Sequence, residues 1–284
     1  MPPSPRPSVL YVSDLTYPAR GRRYCDEDIY LTSKLRQHFD LAITHPEDAT
    51  PLMASFDTVV VRNSGPVIDY PAAYAHFREQ AKSTGQRVYN PLTGKADMAG
   101  KQYLIDLTEQ GYPVIPTIDD LTHLDRLPQA TEYVVKPKAG ADSHGLKFVE
   151  AENLTHENLT QANSTHKEED VLIQPKIDFR YEVSFYFVDH DFQYALNAPD
   201  PAQRWALTHY DASREDLEFA RKFIDWNDLG HGIQRVDACR TQDGDLLLVE
   251  LEDLNPYLSL DRTSDETREN FVKAMTSSIL RSLG

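Results

Sequence analysis

Three acidic residues near the end of the chain have the spacing of a metal site. Segment 233–258, IQRVDACRTQDGDLLLVELEDLNPYL, predicts two strands joined by a tight turn. Glu250 and Glu252 alternate on one strand and share a face, so Asp237 on the other strand can converge with them. Carboxylates this close repel one another unless a divalent cation neutralises them, and an oxygen-only set suits Mg²⁺. The apolar run 246–249 favours this interpretation over an exposed acidic face.

Two lysines border segments that could bind an anion. Lys95 stands at the start of a predicted helix, 94–111, and Lys136 ends a predicted strand. The loop after Lys136 is rich in small residues, which let backbone N–H groups approach a ligand while ammonium groups neutralise phosphate oxygens. Such loops also occur without this function. The candidate loop residues are Gly140, Ser143 and Gly145.

A short connection between two apolar strands is a candidate nucleotide contact. In VLIQPKIDFRYEVSF, residues 171–185, one strand ends at the run Gln174, Pro175, Lys176 and Ile177, and the next begins at Glu182. Backbone groups free of sheet pairing can bind an adenine edge, and a nearby acid can bind ribose hydroxyls. Taken alone, the same pattern also fits an ordinary strand connection.

The first ninety residues alternate apolar strands with helices, which predicts a small open α/β sheet with its functional loops at the carboxyl ends of the strands. Arg62 ends the third strand directly before a turn, and Arg22 follows the first strand. A guanidinium group matches a carboxylate, so both are candidate substrate contacts, although a surface charge at Arg22 is equally consistent. The predicted strands are 8–14, 41–46, 57–65 and 86–91, with helices 26–39 and 71–85 between them.

Composition excludes several classes of function. The net charge of −16 over 284 residues opposes binding to nucleic acid, and no segment has the length of a membrane span. The two cysteines are widely separated in sequence, which favours a reducing compartment. We therefore expect a cytoplasmic protein that binds neither nucleic acid nor membrane, and the sequence leaves homo-oligomerisation open.

The order of these features resembles the ATP-grasp superfamily over nearly the whole chain. The matching pieces are GKADMAGK, VVKPKAGADSHGLKFV, VLIQPKIDFRYEVSF and RVDACRTQDGDLLLVELEDLNP. The resemblance implies an α/β chain, α+β overall, with an N-terminal open α/β domain (1–92) and central (93–175) and C-terminal (176–284) ATP-grasp domains. The ending VELEDLNPY is similar to glutathione-synthetase-like ligases, including the group that forms D-cycloserine.

The resemblance also implies roles for individual residues. Lys95 and Lys136 would bind the ATP phosphates, the run 174–177 the adenine, and Glu182 the ribose, with Asp178 as the alternative. The magnesium ligands would be Asp237, Glu250 and Glu252. Arg235, which shares a face with Asp237, would lie against the transferred phosphoryl group and act with Lys136 in catalysis. The candidate substrate contacts are Arg22, Arg62, Arg204, Thr208, His209 and Asn255.

The implied reaction uses ATP and Mg²⁺ to join small-molecule carboxylate and amine substrates, at least one of them amino-acid-like, through an acyl phosphate. Catalysis would be positioning and charge neutralisation. Two other functions fit the same sequence. A kinase of this fold would phosphorylate a hydroxyl group, and a regulatory protein would bind nucleotide without turnover. Three metal-binding acids argue against the regulatory protein, since nucleotide binding alone does not need them.

Overall fold

The computed structural model describes residues 6–19, 22–62, 69–138, 145–155, 157–158, 171–203 and 205–284. The strands are β1 (Ser8–Val12), β2 (Pro18–Ala19), β3 (Arg22–Arg23), β4 (Asp40–Thr44), β5 (Thr58–Val61), β6 (Val88–Tyr89), β7 (Glu132–Pro137), β8 (Lys147–Glu150), β9 (Val171–Pro175), β10 (Phe179–Val188), β11 (Asp191–Ala198), β12 (Thr208–His209), β13 (Ile233–Thr241) and β14 (Leu246–Glu252). The α-helices are α1 (Tyr24–Leu35), α2 (Ala49–Leu52), α3 (Pro71–Thr84), α4 (Tyr103–Glu109), α5 (Arg214–Asn227) and α6 (Asp265–Leu283).

The N-terminal region forms a parallel sheet of order β4-β1-β5-β6, as the alternation of strands and helices predicts. Successive residues of a strand face opposite sides, so β1 contributes to two cores. Tyr11 packs with Leu31 of α1 and Phe271 of α6. Leu10 packs on the other side with Phe77 of α3. The last helix of the chain therefore returns to cover the first sheet.

The C-terminal region forms an antiparallel sheet of order β12-β11-β10-β13-β14. On β10, Val183, Phe185 and Phe187 belong to a core that includes Phe219 and Phe223 of α5. The alternate residues of β10 lie on the other face. The predicted hairpin is present as β13 and β14, and Gly244 in its turn adopts a positive φ of 100° that favours glycine.

A three-stranded antiparallel sheet of order β8-β7-β9 lies between these two regions in sequence. Its β7–β8 pair is the predicted hairpin around the small-residue loop. Tyr133 and Val135 pack into a separate core, so alternation places Val134 and Lys136 on the opposite face. The predicted helix 94–111 is shorter than expected: a 3₁₀ turn covers Asp97–Ala99, and the α-helix begins only at Tyr103.

Each of these three sheets lies within one of the segments predicted as domains, and the domain boundaries themselves stay a prediction. Among the described helices, none is both long and apolar enough to cross a membrane.

Candidate active site

The predicted acidic face is formed by the pairing of β13 with β14. The register places Asp237 opposite Glu250 and Arg235 opposite Glu252. A β-bulge directly after Asp237 bends the strand where the acids converge. The acid side chains are mostly buried, with 17% of Asp237, 27% of Glu250 and 21% of Glu252 exposed. The hairpin register predicted from the sequence is present, and the metal role of its acids stays a prediction.

A fourth acid, Asp97, joins this face from the 3₁₀ turn before α4. Carboxylate oxygens of Asp97, Glu250 and Glu252 lie within 4.8 Å of one another. Burial raises the pKa of Glu252 to about 7; Arg235 opposes the rise, while Asp237 and Asp97 add to it. Hard oxygen donors at this separation fit Mg²⁺, which is commonly held by one or two carboxylates together with phosphates and water.

Asp237 contacts an arginine rather than this group of three acids. Its carboxylate accepts hydrogen bonds from Arg235 Nε at 2.9 Å and Nη2 at 2.7 Å, and from Ser184 Oγ at 2.6 Å. Arg235 also donates to Glu252 and, through Nη1, to the Tyr257 carbonyl at 2.7 Å. The guanidinium thus holds the two strands and the following loop together. The metal role of Asp237 and the phosphoryl contact of Arg235 stay predictions.

Two lysines lie beside the acids. Lys101 is buried; its Nζ forms an ion pair with Glu250 and lies 3.4 Å from Asp97 Oδ1. Burial and the nearby Lys101 charge lower the pKa of Lys136 to about 7, whereas Asp97 raises it. Lys101 was not among the residues predicted from the sequence, although it is the second lysine of the motif GKADMAGK and follows Asp97 by four residues.

Lys95 contacts a tryptophan ring and the end of α5. Its exposed ammonium stands 5.1 Å from the centroid of the Trp226 ring, and its backbone N–H donates to Asn227 Oδ1 at 2.7 Å. The predicted phosphate contact of Lys95 stays a prediction. From the same segment, Asp97 and Lys101 contact the acids of β14.

The predicted nucleotide linker follows β9 as expected. Gln174 is buried and its amide donates to Thr117 Oγ1 at 2.8 Å, so its side chain supports the strand. Pro175 ends the strand, Lys176 is exposed, and Ile177 follows it partly buried. Glu182 on β10 pairs with Cys239, beside the Ser184–Asp237 pair, so register and alternation place it on the same face as the acids.

An exposed aromatic ring also shares the face of Lys136. Phe148 on β8 pairs with Val134, and its side chain is 57% exposed. Lys176 Nζ lies 5.2 Å from its ring centroid. Phe148 is a further candidate for contact with a ligand on this face, and it was not predicted because its strand was interpreted only as a return segment.

Several predicted residues lie outside the described part of the chain. These are Gly140, Ser143 and Arg204, together with the side chain of Arg22. Gly145 is described: its φ is +76°, and a Cβ there would lie 2.8 Å from Pro137 Cγ. A larger residue at this position would push against the end of β7.

Arg62 is a structural residue, contrary to the predicted substrate contact. Its side chain is 2% exposed, Nη2 donates to Glu27 Oε1 at 2.7 Å, and Nη1 donates to the Pro256 carbonyl at 2.7 Å. Glu27 also accepts from Leu258 N at 2.9 Å. Burial raises the pKa of Glu27 to about 7, and Arg62 opposes that rise. The guanidinium therefore anchors the loop after β14 to the N-terminal sheet.

Arg62→Met should lower the free energy of unfolding by about 3–5 kcal/mol, because it leaves buried carboxylates without their cation. Urea denaturation of the purified chain would measure this loss. Arg36→Met, at an exposed position of the same region, is the control and should change stability little. A stable Arg62→Met protein with a raised KM for one substrate would instead support the substrate contact.

Two of the three remaining substrate candidates lie further from the acids. Thr208 and His209 form the edge strand β12, and both are exposed. His209 pairs with Leu196 of β11, which in turn pairs with Ser184 of β10. His209 is three strands from Asp237, or about 14 Å at the usual strand spacing. Asn255 lies on the loop after β14, closer to the acids. All three substrate roles stay predictions.

Comparison with solved structures identifies the class of fold. A D-alanine–D-alanine ligase from Bacillus anthracis complexed with ATP is similar with a TM-score of 0.67 and 14% identity, covering 97% of this chain and 98% of that chain. The ATP-grasp ligase PsnB is similar with a TM-score of 0.61 and 17% identity, covering 95% and 99%. The chain therefore has the ATP-grasp fold, and the predicted resemblance is confirmed.

Within this class, the chain is similar to one protein in both sequence and structure. The cycloserine biosynthesis protein DcsG of Streptomyces lavendulae is 26% identical over 251 residues, which span 77% of this chain and 82% of that protein. The crystal structure of the D-cycloserine synthetase DcsG matches with a TM-score of 0.74 and 22% identity, covering 95% of this chain and 99% of that chain. No protein-family model matches the chain.

Proposed function

We propose that this protein is an ATP-dependent carboxylate-amine ligase acting on small amino-acid-like substrates. One observation carries the proposal: in an ATP-grasp fold, Lys101 forms an ion pair with Glu250 within the group of Asp97, Glu250 and Glu252, and the charges of Lys101 and Asp97 act on Lys136. Cations and metal-binding carboxylates side by side are what a triphosphate and its Mg²⁺ require. The similarity to the D-cycloserine synthetase DcsG and to a D-alanine–D-alanine ligase supports amino-acid-like substrates.

The reaction has two steps. A substrate carboxylate oxygen attacks the γ-phosphorus of ATP, and the bond from that phosphorus to the ADP oxygen breaks, which gives an acyl phosphate. An amine nitrogen then attacks the acyl carbon, phosphate leaves with the bonding electrons, and the nitrogen loses a proton to give the amide. Neither step needs a nucleophile from the protein, so catalysis is positioning and charge neutralisation.

Nucleotide and metal would be bound by residues of the β8-β7-β9 sheet and of the β13–β14 hairpin, together with Lys101 and Asp97. Lys101 and Lys136 would bind phosphate oxygens, and Phe148 and Val134 would form an apolar wall for the base. Glu250 and Glu252, with Asp97 or Asp237, would hold Mg²⁺, which when bound offsets negative charge on the phosphates. Arg235 fixes the geometry of the acids through Asp237 and Glu252.

Phosphate release tests the proposed function. The purified chain would be incubated with ATP, Mg²⁺ and pools of amino acids, and ADP, phosphate and new products would be measured by coupled assay and mass spectrometry. We expect equal amounts of ADP, phosphate and an amide product from at least one pool. A product that is one water lighter than a single substrate would identify ring closure. A phosphorylated hydroxyl product, or nucleotide binding without turnover in every pool, would contradict the ligase.

Nucleotide affinity should depend on pH through Lys136. Because its pKa is lowered to about 7, the ammonium is charged below that pH and is lost above it. The dissociation constant of AMPPNP should therefore rise above pH 7, approaching tenfold per pH unit if binding requires the proton. Calorimetric titration from pH 6 to 8.5 measures this change.

The variant Lys136→Arg is the control for this profile. Its guanidinium stays protonated over the same range, so the affinity of the variant should depend less on pH than that of the wild type. The difference between the two profiles isolates the lysine from titration of the nucleotide itself. Parallel profiles would show that Lys136 does not carry the proton that governs binding.

A further inference from the structure

A buried carboxylate, Asp253, connects the two chain segments that carry the acids of the candidate metal site. Asp253 directly follows Glu252 at the end of β14 and is 0% exposed. Its Oδ1 accepts a hydrogen bond from Met98 N at 2.8 Å, and its Oδ2 accepts one from Ala96 N at 3.2 Å. These two backbone donors flank Asp97. The carboxylate therefore holds the turn that carries Asp97 against the strand that carries Glu250 and Glu252.

Asn227, at the end of α5, completes this arrangement. Its Nδ2 donates to Asp253 Oδ2 at 3.1 Å, and its Oδ1 accepts from Lys95 N at 2.7 Å. The packing is tight, because a Cβ added at Gly94 would lie 2.1 Å from Asp253 Oδ2. A buried carboxylate is costly unless N–H groups satisfy it, and here three donors do so. The segment 94–98 therefore has a single well-defined position.

The position of segment 94–98 determines where the side chains of Asp97 and Lys101 lie. Asp97 places its carboxylate within 4.8 Å of those of Glu250 and Glu252, and Lys101 on the same segment pairs with Glu250. We infer that Asp253 is a positioning residue that fixes Asp97 and Lys101 against Glu250 and Glu252, and so sets the affinity of the site for a divalent cation. This inference rests on the proposed function, since it takes the acidic face to be a metal site.

Asp253→Asn tests the inference with little change in shape. An amide keeps one acceptor oxygen and turns its Nδ2 towards a donor, so either Met98 N, or Ala96 N together with Asn227 Nδ2, loses its acceptor. Residues that orient metal ligands typically change metal affinity by about 10–100-fold when replaced. We expect the dissociation constant of Mn²⁺, measured by electron paramagnetic resonance with saturating AMPPNP, to rise by about tenfold or more.

The control is Asp216→Asn, which removes another buried carboxylate. Asp216 caps α5 and pairs with Arg240, away from the acidic face, and its variant should bind Mn²⁺ like the wild type. If Asp253→Asn does not fold, Asn227→Ala replaces it, with a smaller rise of about threefold expected from the loss of one donor.

The outcomes separate this inference from the proposed function. A folded Asp253→Asn protein that binds Mn²⁺ within twofold of the wild type overturns the positioning role, even if its melting temperature falls. Where Asn227→Ala is the variant tested, unchanged Mn²⁺ affinity overturns it equally. A wild-type protein that binds neither Mn²⁺ nor AMPPNP would instead contradict the proposed function.

Discussion

Glu250→Gln should lower kcat by about a thousandfold, equivalent to roughly 4 kcal/mol of transition-state stabilisation. Glu250 is at the centre of the acidic face: it pairs in register with Asp237, contacts Lys101, and lies within 4.8 Å of Asp97 and Glu252. Glutamine keeps the shape of the side chain but loses the charge that would hold a divalent cation. Steady-state kinetics at saturating ATP and Mg²⁺ measure the loss.

The fold should survive this change, because a quarter of the Glu250 side chain is exposed and its strand is held by backbone pairing. Glu218→Gln is the matched control: it makes the same substitution at an exposed position of α5 and should leave kcat unchanged. Asp237→Asn should also lose several orders of magnitude, because it frees Arg235 from its bidentate partner. Near-normal turnover in Glu250→Gln would remove the acidic face from the mechanism.

Lys101→Met should weaken nucleotide binding by about 10–100-fold, the value of a charge-assisted hydrogen bond. The ammonium is buried between Asp97 and Glu250, so no exposed lysine can take its place. Lys95→Met is the matched control from the same segment, and we expect a change of at most about twofold, since Lys95 lies over Trp226. Calorimetry with AMPPNP and Mg²⁺ compares the two variants.

The comparison of Lys101→Met with Lys95→Met tests which of the two lysines contacts the nucleotide phosphates. The motif GKADMAGK offers both lysines, and the sequence pattern favoured Lys95 as the phosphate contact. The opposite ranking, with Lys95→Met impaired and Lys101→Met normal, would restore the sequence-based assignment. Melting temperatures in Mg²⁺ would show that neither substitution acts by unfolding the chain.

Local patterns were sufficient for the parts of the site that lie on paired strands. The alternation of Glu250 and Glu252 and the turn at Gly244 are properties of neighbouring residues, so the hairpin and the shared face of these two acids follow from the sequence. The strands of the N-terminal sheet followed from the same kind of signal. The ATP-grasp fold was predicted from the order of several weak motifs, none of which is specific alone.

The missed residues depend on contacts between distant parts of the chain. Asp97 and Lys101 reach the acids because Asp253, more than 150 residues later, binds the backbone at Met98. Arg62 appeared free to bind a substrate because Glu27 and the carbonyl of Pro256 approach it only in the folded chain. Neither contact leaves a periodic pattern in the sequence, so hydrophobic spacing and turn residues could not reveal it.

The most direct test of the metal site is anomalous diffraction from crystals grown with Mn²⁺ and AMPPNP. We expect a manganese peak about 2.1 Å from carboxylate oxygens of Glu250 and Glu252, with the triphosphate beside Lys101 and Lys136. Nucleotide bound elsewhere, with Glu250 still paired to Lys101 and no peak among the acids, would contradict the assignment of this face as the catalytic metal site.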